Sequence, residues 1–167
     1  MKKIGTILII AIYVSAITGY AVGGEMAKEG AVSGKMYSSV SGSMLAMGDE
    51  RLQMNYESSG VMVDDSGKGF PHNAAFFAIG SLHAINGKFE ESGFTVLTPP
   101  DGDKIYSTFK GSGSFGKPVK GTWTYVGGTG KYTGIEGSGE YTRHGLQNAA
   151  EKVWTSVTLS RGNYKLP

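Results

Sequence analysis

The sequence predicts an all-β protein, a closed antiparallel barrel of about eight strands preceded by a signal peptide. After residue 51, short runs of β-branched and aromatic residues alternate with Gly, Asp, Asn and Pro clusters. No segment after residue 21 carries an apolar stripe with the helical period of about 3.6 residues. Many of the 27 glycines crowd the stretch from Gly111 to Gly139, where they can bend strands sharply and help a sheet to close.

The first 21 residues are predicted to be a secretory signal peptide. Two lysines follow Met1, and an apolar run then extends from Ile4 to Ile17. Gly19 and Ala21 are small residues at the positions that signal peptidase inspects, so cleavage is expected after Ala21. We therefore expect export, to the periplasm or out of the cell, with residues 22–167 forming a single β-barrel domain.

An uncleaved membrane anchor is the alternative for this segment, because Ile4 to Val22 approaches the roughly 20 residues that span a bilayer. Cleavage would remove two of the 16 basic residues and leave 14, equal to the 14 acidic ones. A neutral domain lacks the basic face that nucleic acid requires, so no nucleic-acid partner is expected. The absence of cysteine excludes disulfides, zinc–thiolate sites, a thiol nucleophile and a lipid-bearing N-terminal cysteine.

Strand candidates follow one another through the rest of the chain. Leu52, Met54 and Tyr56 share one face of an early strand. The Asn-Gly pair at 86–87 predicts a tight hairpin, because both residues tolerate a positive φ. The best helix candidate is Leu146–Ala150, at most a turn or two. The predicted strands are one or two between Ala31 and Met47, then Arg51–Ser58, Phe76–Ile85, Phe89–Thr98, Lys104–Lys110, Gly121–Val126, Lys131–Thr142 and Glu151–Ser160.

Three other β architectures agree less well with the sequence than the closed barrel does. A sandwich has the same strand count, but the clustered glycines favour closure. A β-solenoid would need a fixed repeat, which the sequence lacks. An outer-membrane barrel needs continuous apolar outer faces, whereas Glu90 and Glu91 interrupt one strand and Glu136 and Glu140 another. No stable membrane insertion is therefore expected once the signal peptide is removed.

Three segments carry a resemblance to a known family: DGDKIY at Asp101–Tyr106, GTWTYVGGTGKY at Gly121–Tyr132 and GIEGSGEY at Gly134–Tyr141. They resemble small bacterial proteins of the allene oxide cyclase-like barrel group, which is similar to the plant dirigent barrels and calycin-like in shape. The resemblance covers about a quarter of the chain well. It implies an eight-stranded barrel whose lumen takes an apolar small molecule, often in homodimers or homotrimers. It does not imply cyclase activity, because no catalytic position of the plant enzymes can be matched here.

The sequence around each apparent catalytic or cofactor motif does not fit the structure that the motif requires. No cofactor is therefore expected, and the catalytic residues are unknown. The glycines at 111, 113 and 116 have dinucleotide-motif spacing, but Pro118 and a strand follow where a helix is required. Asp101 and Asp103, with Asp64 and Asp65, are more typical of turns than of a calcium loop. The three histidines fall in different segments, so no metal site is expected.

Five side chains are predicted to contact a ligand in the lumen. Trp123 and Tyr125 share a strand face that would suit an apolar wall, although ordinary core packing is the alternative. His83 shares a face with Phe77, Ile79 and Ile85, so on an inward face it would be the polar handle. The alternative for His83 is a hydrogen-bonded core or rim histidine. The predicted contacts are Tyr56, His83, Tyr106, Trp123 and Tyr125.

These observations predict an exported small β-barrel that binds an apolar or amphipathic small molecule without covalent catalysis. One alternative is an isomerase or cyclase acting on a hydrophobic ligand in the lumen, through His83 or an inward-facing glutamate. Glu90 and Glu91 lie on opposite faces of one strand, so at most one of them faces inward. The other alternative is a structural module that oligomerises through the barrel faces.

Overall fold

A computed structural model describes residues 26–167 of the chain. The predicted signal peptide and its cleavage site lie outside the described residues. Within residues 26–167 no helix is long and apolar enough to cross a membrane. The strands are β1 Glu29–Ala46, β2 Arg51–Asp64, β3 Ala74–Ile85, β4 Lys88–Thr98, β5 Ile105–Ser114, β6 Val119–Gly128, β7 Glu136–Gly145 and β8 Trp154–Lys165, with one 3₁₀ turn at Gly130–Tyr132.

The eight strands form a closed barrel in which each strand pairs antiparallel with the next one along the chain. β1 pairs with β8 and closes the circle, so that Gly34 lies opposite both Asp64 on β2 and Ser160 on β8. Closure leaves neither sheet edge unpaired, which protects the strands from pairing with other chains. The predicted all-β closed antiparallel barrel of about eight strands is confirmed.

The hairpin predicted at Asn86-Gly87 is confirmed, whereas two other local predictions are wrong. Asn86 and Gly87 have φ values of 51° and 75°, and they join β3 to β4 in a two-residue turn. The chain from Leu146 to Ala150 forms no helix. The strand predicted from Lys131 begins only at Glu136, because Gly130–Tyr132 is a 3₁₀ turn whose aromatic side chain enters the core.

One end of the barrel is closed by aromatic side chains from three segments. The ring of Phe70, in the β2–β3 loop, lies 4.4 Å from the Tyr164 ring and 5.6 Å from the Tyr132 ring, measured between centroids. Asp101 fixes the 3₁₀ turn from outside, because it pairs with Lys131 at 2.6 Å and accepts a hydrogen bond from the Tyr132 hydroxyl at 3.1 Å. We call this group of Phe70, Pro71, Tyr132 and Tyr164 the closed end.

Inward-facing glycines make room for inward-facing rings. Trp123 on β6 lies opposite Gly139 on β7, which in turn lies opposite Gly162 on β8. A Cβ atom at Gly139 would lie 2.7 Å from the indole Cε2, and one at Gly162 would lie 2.6 Å from Cζ2. The indole therefore lies across two strands that have no side chains at this level. Gly139 and Gly162 thus form a socket for an aromatic ring in the core.

Candidate ligand-binding site

A buried ionic cluster lies inside the barrel, centred on Glu91 of β4. The Glu91 side chain has no solvent exposure. Its carboxylate accepts hydrogen bonds from the Tyr56 hydroxyl at 3.0 Å, the Tyr141 hydroxyl at 2.8 Å and the Arg143 guanidinium at 2.6 Å. One positive charge and two phenols therefore replace the water that the buried carboxylate gave up.

Two glycines allow Tyr141 to reach Glu91 across the sheet. The register sets Glu91 on β4 opposite Gly111, Gly111 opposite Gly121 on β6, and Gly121 opposite Tyr141 on β7. The Tyr141 side chain occupies the space over both glycines, and a Cβ atom at Gly111 would overlap its hydroxyl oxygen. A side chain at either glycine would block the contact between β7 and β4.

Tyr56 reaches the same carboxylate from the other side of β4, and its ring also lies over a glycine. Tyr56 on β2 lies opposite Gly80 on β3, and its ring covers the position that a Gly80 side chain would fill. The hydroxyl passes over β3 to Glu91 on β4. Two tyrosines from different strands thus meet at one carboxylate, each lying over glycine.

The environment of the cluster keeps the phenols neutral and the guanidinium charged. Burial raises the pKa of Tyr56 and of Tyr141, and the negative charge of Glu91 raises both further. Burial alone would lower the pKa of Arg143, but the attraction of Glu91 outweighs it, and the net effect is a raised pKa. The phenols therefore act as hydrogen-bond donors to a charged pair.

Alkaline conditions are expected to weaken the fold. Burial raises the pKa of Tyr56, Tyr125 and Tyr141 above the ordinary value near 10. The unfolded chain therefore loses protons above about pH 10 that the folded barrel keeps. The free energy of unfolding should be level up to about pH 9 and then fall, by up to about 1.4 kcal/mol per pH unit for each tyrosine. Urea unfolding between about pH 8 and about pH 11 measures this. Growth of tyrosinate absorbance for these three groups near pH 10 in the folded protein would contradict it.

The end of the barrel opposite the closed end is an open mouth. It is open to solvent, and its walls are mainly apolar. Phe89 and Phe115 pack against each other there, with ring centroids 5.4 Å apart. Tyr56 and Arg143 reach this space from the ionic cluster. The other polar residues on its lining are Ser114, Lys117, His144, Thr155 and Ser156. The apolar lining consists of Val40, Met44, Met54, Leu82, Phe89, Phe115, Val119 and Trp154.

A smaller inner cavity of about 90 Å³ lies between the ionic cluster and the closed end. Trp123 and Tyr125 form one wall, with ring centroids 4.8 Å apart. The volume suits several water molecules or the end group of a larger molecule. Tyr56 and Arg143 border both the mouth and the inner cavity. Hydroxyl groups on its lining belong to Ser38, Ser58, Thr95, Ser107, Thr158 and Ser160.

Three of the five predicted ligand contacts lie in this interior. Tyr56 borders both spaces, while Trp123 and Tyr125 line the inner cavity. Tyr106 is half-buried on the face of β5 opposite the buried Ile105 and lines neither space. His83 is exposed on the outer wall of β3. The structure therefore brings together three of the four predicted aromatic side chains, and neither Tyr106 nor the proposed polar handle joins them.

The face of β3 that carries His83 points outward, so the predicted contact of His83 with a ligand in the lumen is wrong. Phe77 and Ile79 share the outer face of β3 with His83 and are 44% and 57% exposed. The inward face carries Phe76, Leu82, three alanines and Gly80, and the Tyr56 ring occupies the space beside Gly80. Both faces of β3 therefore carry large apolar residues, so alternation alone does not show which face points inward.

Sequence reasoning identified half of the ionic cluster. It requires that only one of Glu90 and Glu91 face inward, and the structure places Glu91 inside and Glu90 outside. Arg143 and Tyr141 were missed. A signal exists, since Gly139, Tyr141 and Arg143 alternate along one face of β7.

The aspartates weighed as calcium ligands have partners typical of turns. Asp64 accepts hydrogen bonds from the backbone N–H groups of Ser66 and Gly69, at 2.8 and 3.0 Å. Asp101 accepts one from the backbone of Asp103 at 3.1 Å. Within residues 26–167, no three His, Asp or Glu side chains are grouped so that they could hold a metal ion.

The fold and interior define an eight-stranded antiparallel barrel with a closed aromatic end, a central ionic cluster and an open apolar mouth. Comparison of the chain with protein-family models, with curated proteins and with solved structures found no match.

Proposed function

We propose that this protein is an exported barrel that binds an amphipathic small molecule without covalent catalysis. The observation that carries the proposal is the mouth, an apolar opening into the barrel interior that Arg143 borders. Small-molecule sites are concave and combine apolar walls with a small number of polar groups. An apolar chain would pack on the walls while its polar end meets Arg143.

A fluorescent amphiphile, anilinonaphthalene sulfonate, tests the location of binding. Met44 lines the mouth and is 56% exposed, so a Met44→Glu substitution is compatible with the fold. A carboxylate there removes apolar contact and repels the sulfonate, so we expect binding to weaken by about tenfold or more. Fluorescence titration of wild type and variant measures the change in Kd.

Phe94→Glu is the matched control for this titration. Phe94 lies on the outer wall of β4 and is 67% exposed, so the same charge is introduced away from the mouth. We expect its Kd to equal that of wild type. Weaker binding by Phe94→Glu together with unchanged binding by Met44→Glu would assign the site to the outer wall and contradict the proposal.

The hydrogen bonds of Glu91 support the absence of covalent catalysis. Glu91 is the inward glutamate that an isomerase would use, but three donors already occupy its carboxylate. A carboxylate held in this way is poorly placed to move a proton on a ligand. Native mass spectrometry of protein purified from its own host should find a retained ligand, and incubation should leave that ligand unchanged. Conversion of the ligand by wild-type protein would favour the isomerase alternative.

A second candidate function, self-association, is favoured by apolar residues on the outer wall. Ile79 and Phe94 lie directly opposite each other on β3 and β4, and both are more than half exposed. Burial of such residues between two barrels would be favourable. Sedimentation of the Phe94→Glu protein beside wild type tests it, because a charge at this position would break an oligomer formed through this wall.

A further inference from the structure

We infer that the polar end of the ligand is a hydrogen-bond acceptor, a carbonyl or carboxylate oxygen, and not an amine. This inference rests on the proposed function and adds the chemical class of the ligand. It follows from two donors in the described interior of the barrel, the guanidinium of Arg143 and the indole N–H of Trp123.

Arg143 is the first of these donors. A guanidinium has five N–H donors and no acceptor. Within the described part of the chain, Arg143 donates one side-chain hydrogen bond, to Glu91. Its side chain is 23% exposed and borders the mouth, so further N–H groups are free to meet a ligand there.

The one acceptor of opposite charge in the cluster is already occupied. Glu91 receives hydrogen bonds from Tyr56, Tyr141 and Arg143, and its side chain is fully buried. It borders neither the mouth nor the inner cavity. A ligand ammonium group would therefore meet the guanidinium without reaching the carboxylate, and like charges repel.

Trp123 supplies a second donor at greater depth. Among the described residues, its indole Nε1 is the buried side-chain polar atom that lacks a hydrogen-bond partner. The Trp123 side chain is only 9% exposed and lines the inner cavity. An unpaired buried donor costs free energy. Because Nε1 has almost no accessible surface, the indole must turn slightly before an acceptor on the ligand can satisfy it. The serine and threonine hydroxyls beside it can donate or accept, so they do not reverse the preference.

The two donors lie on one path. Arg143 borders the mouth and the inner cavity, whereas Trp123 lines only the inner cavity. A cavity of about 90 Å³ accepts a carbonyl or carboxylate end group but not a whole ligand. An elongated molecule would thus place its chain in the mouth and its oxygen beside these donors.

Three ligands with the same ten-carbon chain test the inference: decanoate, methyl decanoate and decylammonium. Isothermal titration calorimetry of wild-type protein should show decanoate and methyl decanoate binding at least about tenfold more tightly than decylammonium, the effect of one charge-assisted hydrogen bond. Decylammonium binding as tightly as the other two would overturn the inference while leaving the proposed function intact. Absence of binding by all three would instead overturn the proposed function.

Trp123→Phe tests the deeper donor. It keeps an aromatic ring at this position but removes the N–H, and we expect methyl decanoate to bind about threefold to tenfold more weakly. Decylammonium should not respond. Tyr106→Phe is the matched control, because it removes a polar hydrogen from a ring outside the lumen and should change neither affinity.

A second measurement covers the case in which Trp123→Phe does not fold. The chain has two tryptophans, so Trp154→Phe, measured without ligand, assigns the indole N–H resonance of Trp123 in the wild-type protein. Saturation with methyl decanoate should shift this resonance. A resonance that stays in place while the ligand is bound would contradict the placement of the oxygen beside Trp123.

Discussion

Arg143→Met is expected to destabilise the barrel by about 3 kcal/mol, the cost of leaving one partner of a buried ion pair without the other. Glu91 would keep its two tyrosine donors but lose the positive charge that contacts it within residues 26–167. We take the low end of the usual 3–5 kcal/mol range, since Arg143 is partly exposed. Urea unfolding of wild type and variant measures the difference.

Two further variants distinguish the stability lost by breaking the ion pair from the stability lost by removing any arginine. Arg161 lies on the exposed outer wall of β8, and Arg161→Met should change stability by no more than about 0.5 kcal/mol. The double variant Glu91→Gln/Arg143→Met removes both charges and should recover most of the loss. Equal destabilisation by Arg143→Met and Arg161→Met, or no recovery in the double variant, would show that the pair is not buried as described.

Gly139→Ala is expected to destabilise the barrel by about 2–3 kcal/mol through overpacking. Its Cβ would lie 2.5 Å from the Trp123 Cζ2 atom and would overlap the backbone oxygen of Arg161. Neither group can move freely, because one is a buried indole and the other belongs to the paired strand β8. Thermal or urea unfolding gives the loss of stability.

Gly145→Ala is the matched control on the same strand. A Cβ at Gly145 would meet no atom within 4 Å, so the substitution should be neutral or slightly stabilising. If the two alanine variants differ by less than about 0.5 kcal/mol, inward glycines are not sockets for aromatic rings.

The sequence was sufficient for the fold class because the signals that determine it are local. Alternation and turn residues mark each strand, and Asn86-Gly87 specifies its own hairpin by accepting positive φ at both positions. The 3₁₀ turn at Gly130–Tyr132 could not be predicted from local sequence. Tyr132 contacts Phe70 and Asp101, which are distant in the chain, and these contacts favour the turn over a continued strand.

The interior could be predicted only in part because it depends on which residues meet across several strands. Alternation showed that one of Glu90 and Glu91 faces inward, but it could not supply the partner. Tyr141 meets Glu91 only because the register aligns Gly111 and Gly121 between them. The orientation of His83 could not be predicted for the same reason, since Gly80 on the inward face of β3 makes room for the Tyr56 ring from β2.

The most direct test of ligand binding in the mouth is an intermolecular NOE measurement on the protein saturated with methyl decanoate. We expect contacts from the ligand chain to the side chains of Met44, Leu82 and Phe115, which line the mouth. Contacts confined to Ile79 and Phe94 on the outer wall, or no saturable binding, would contradict it.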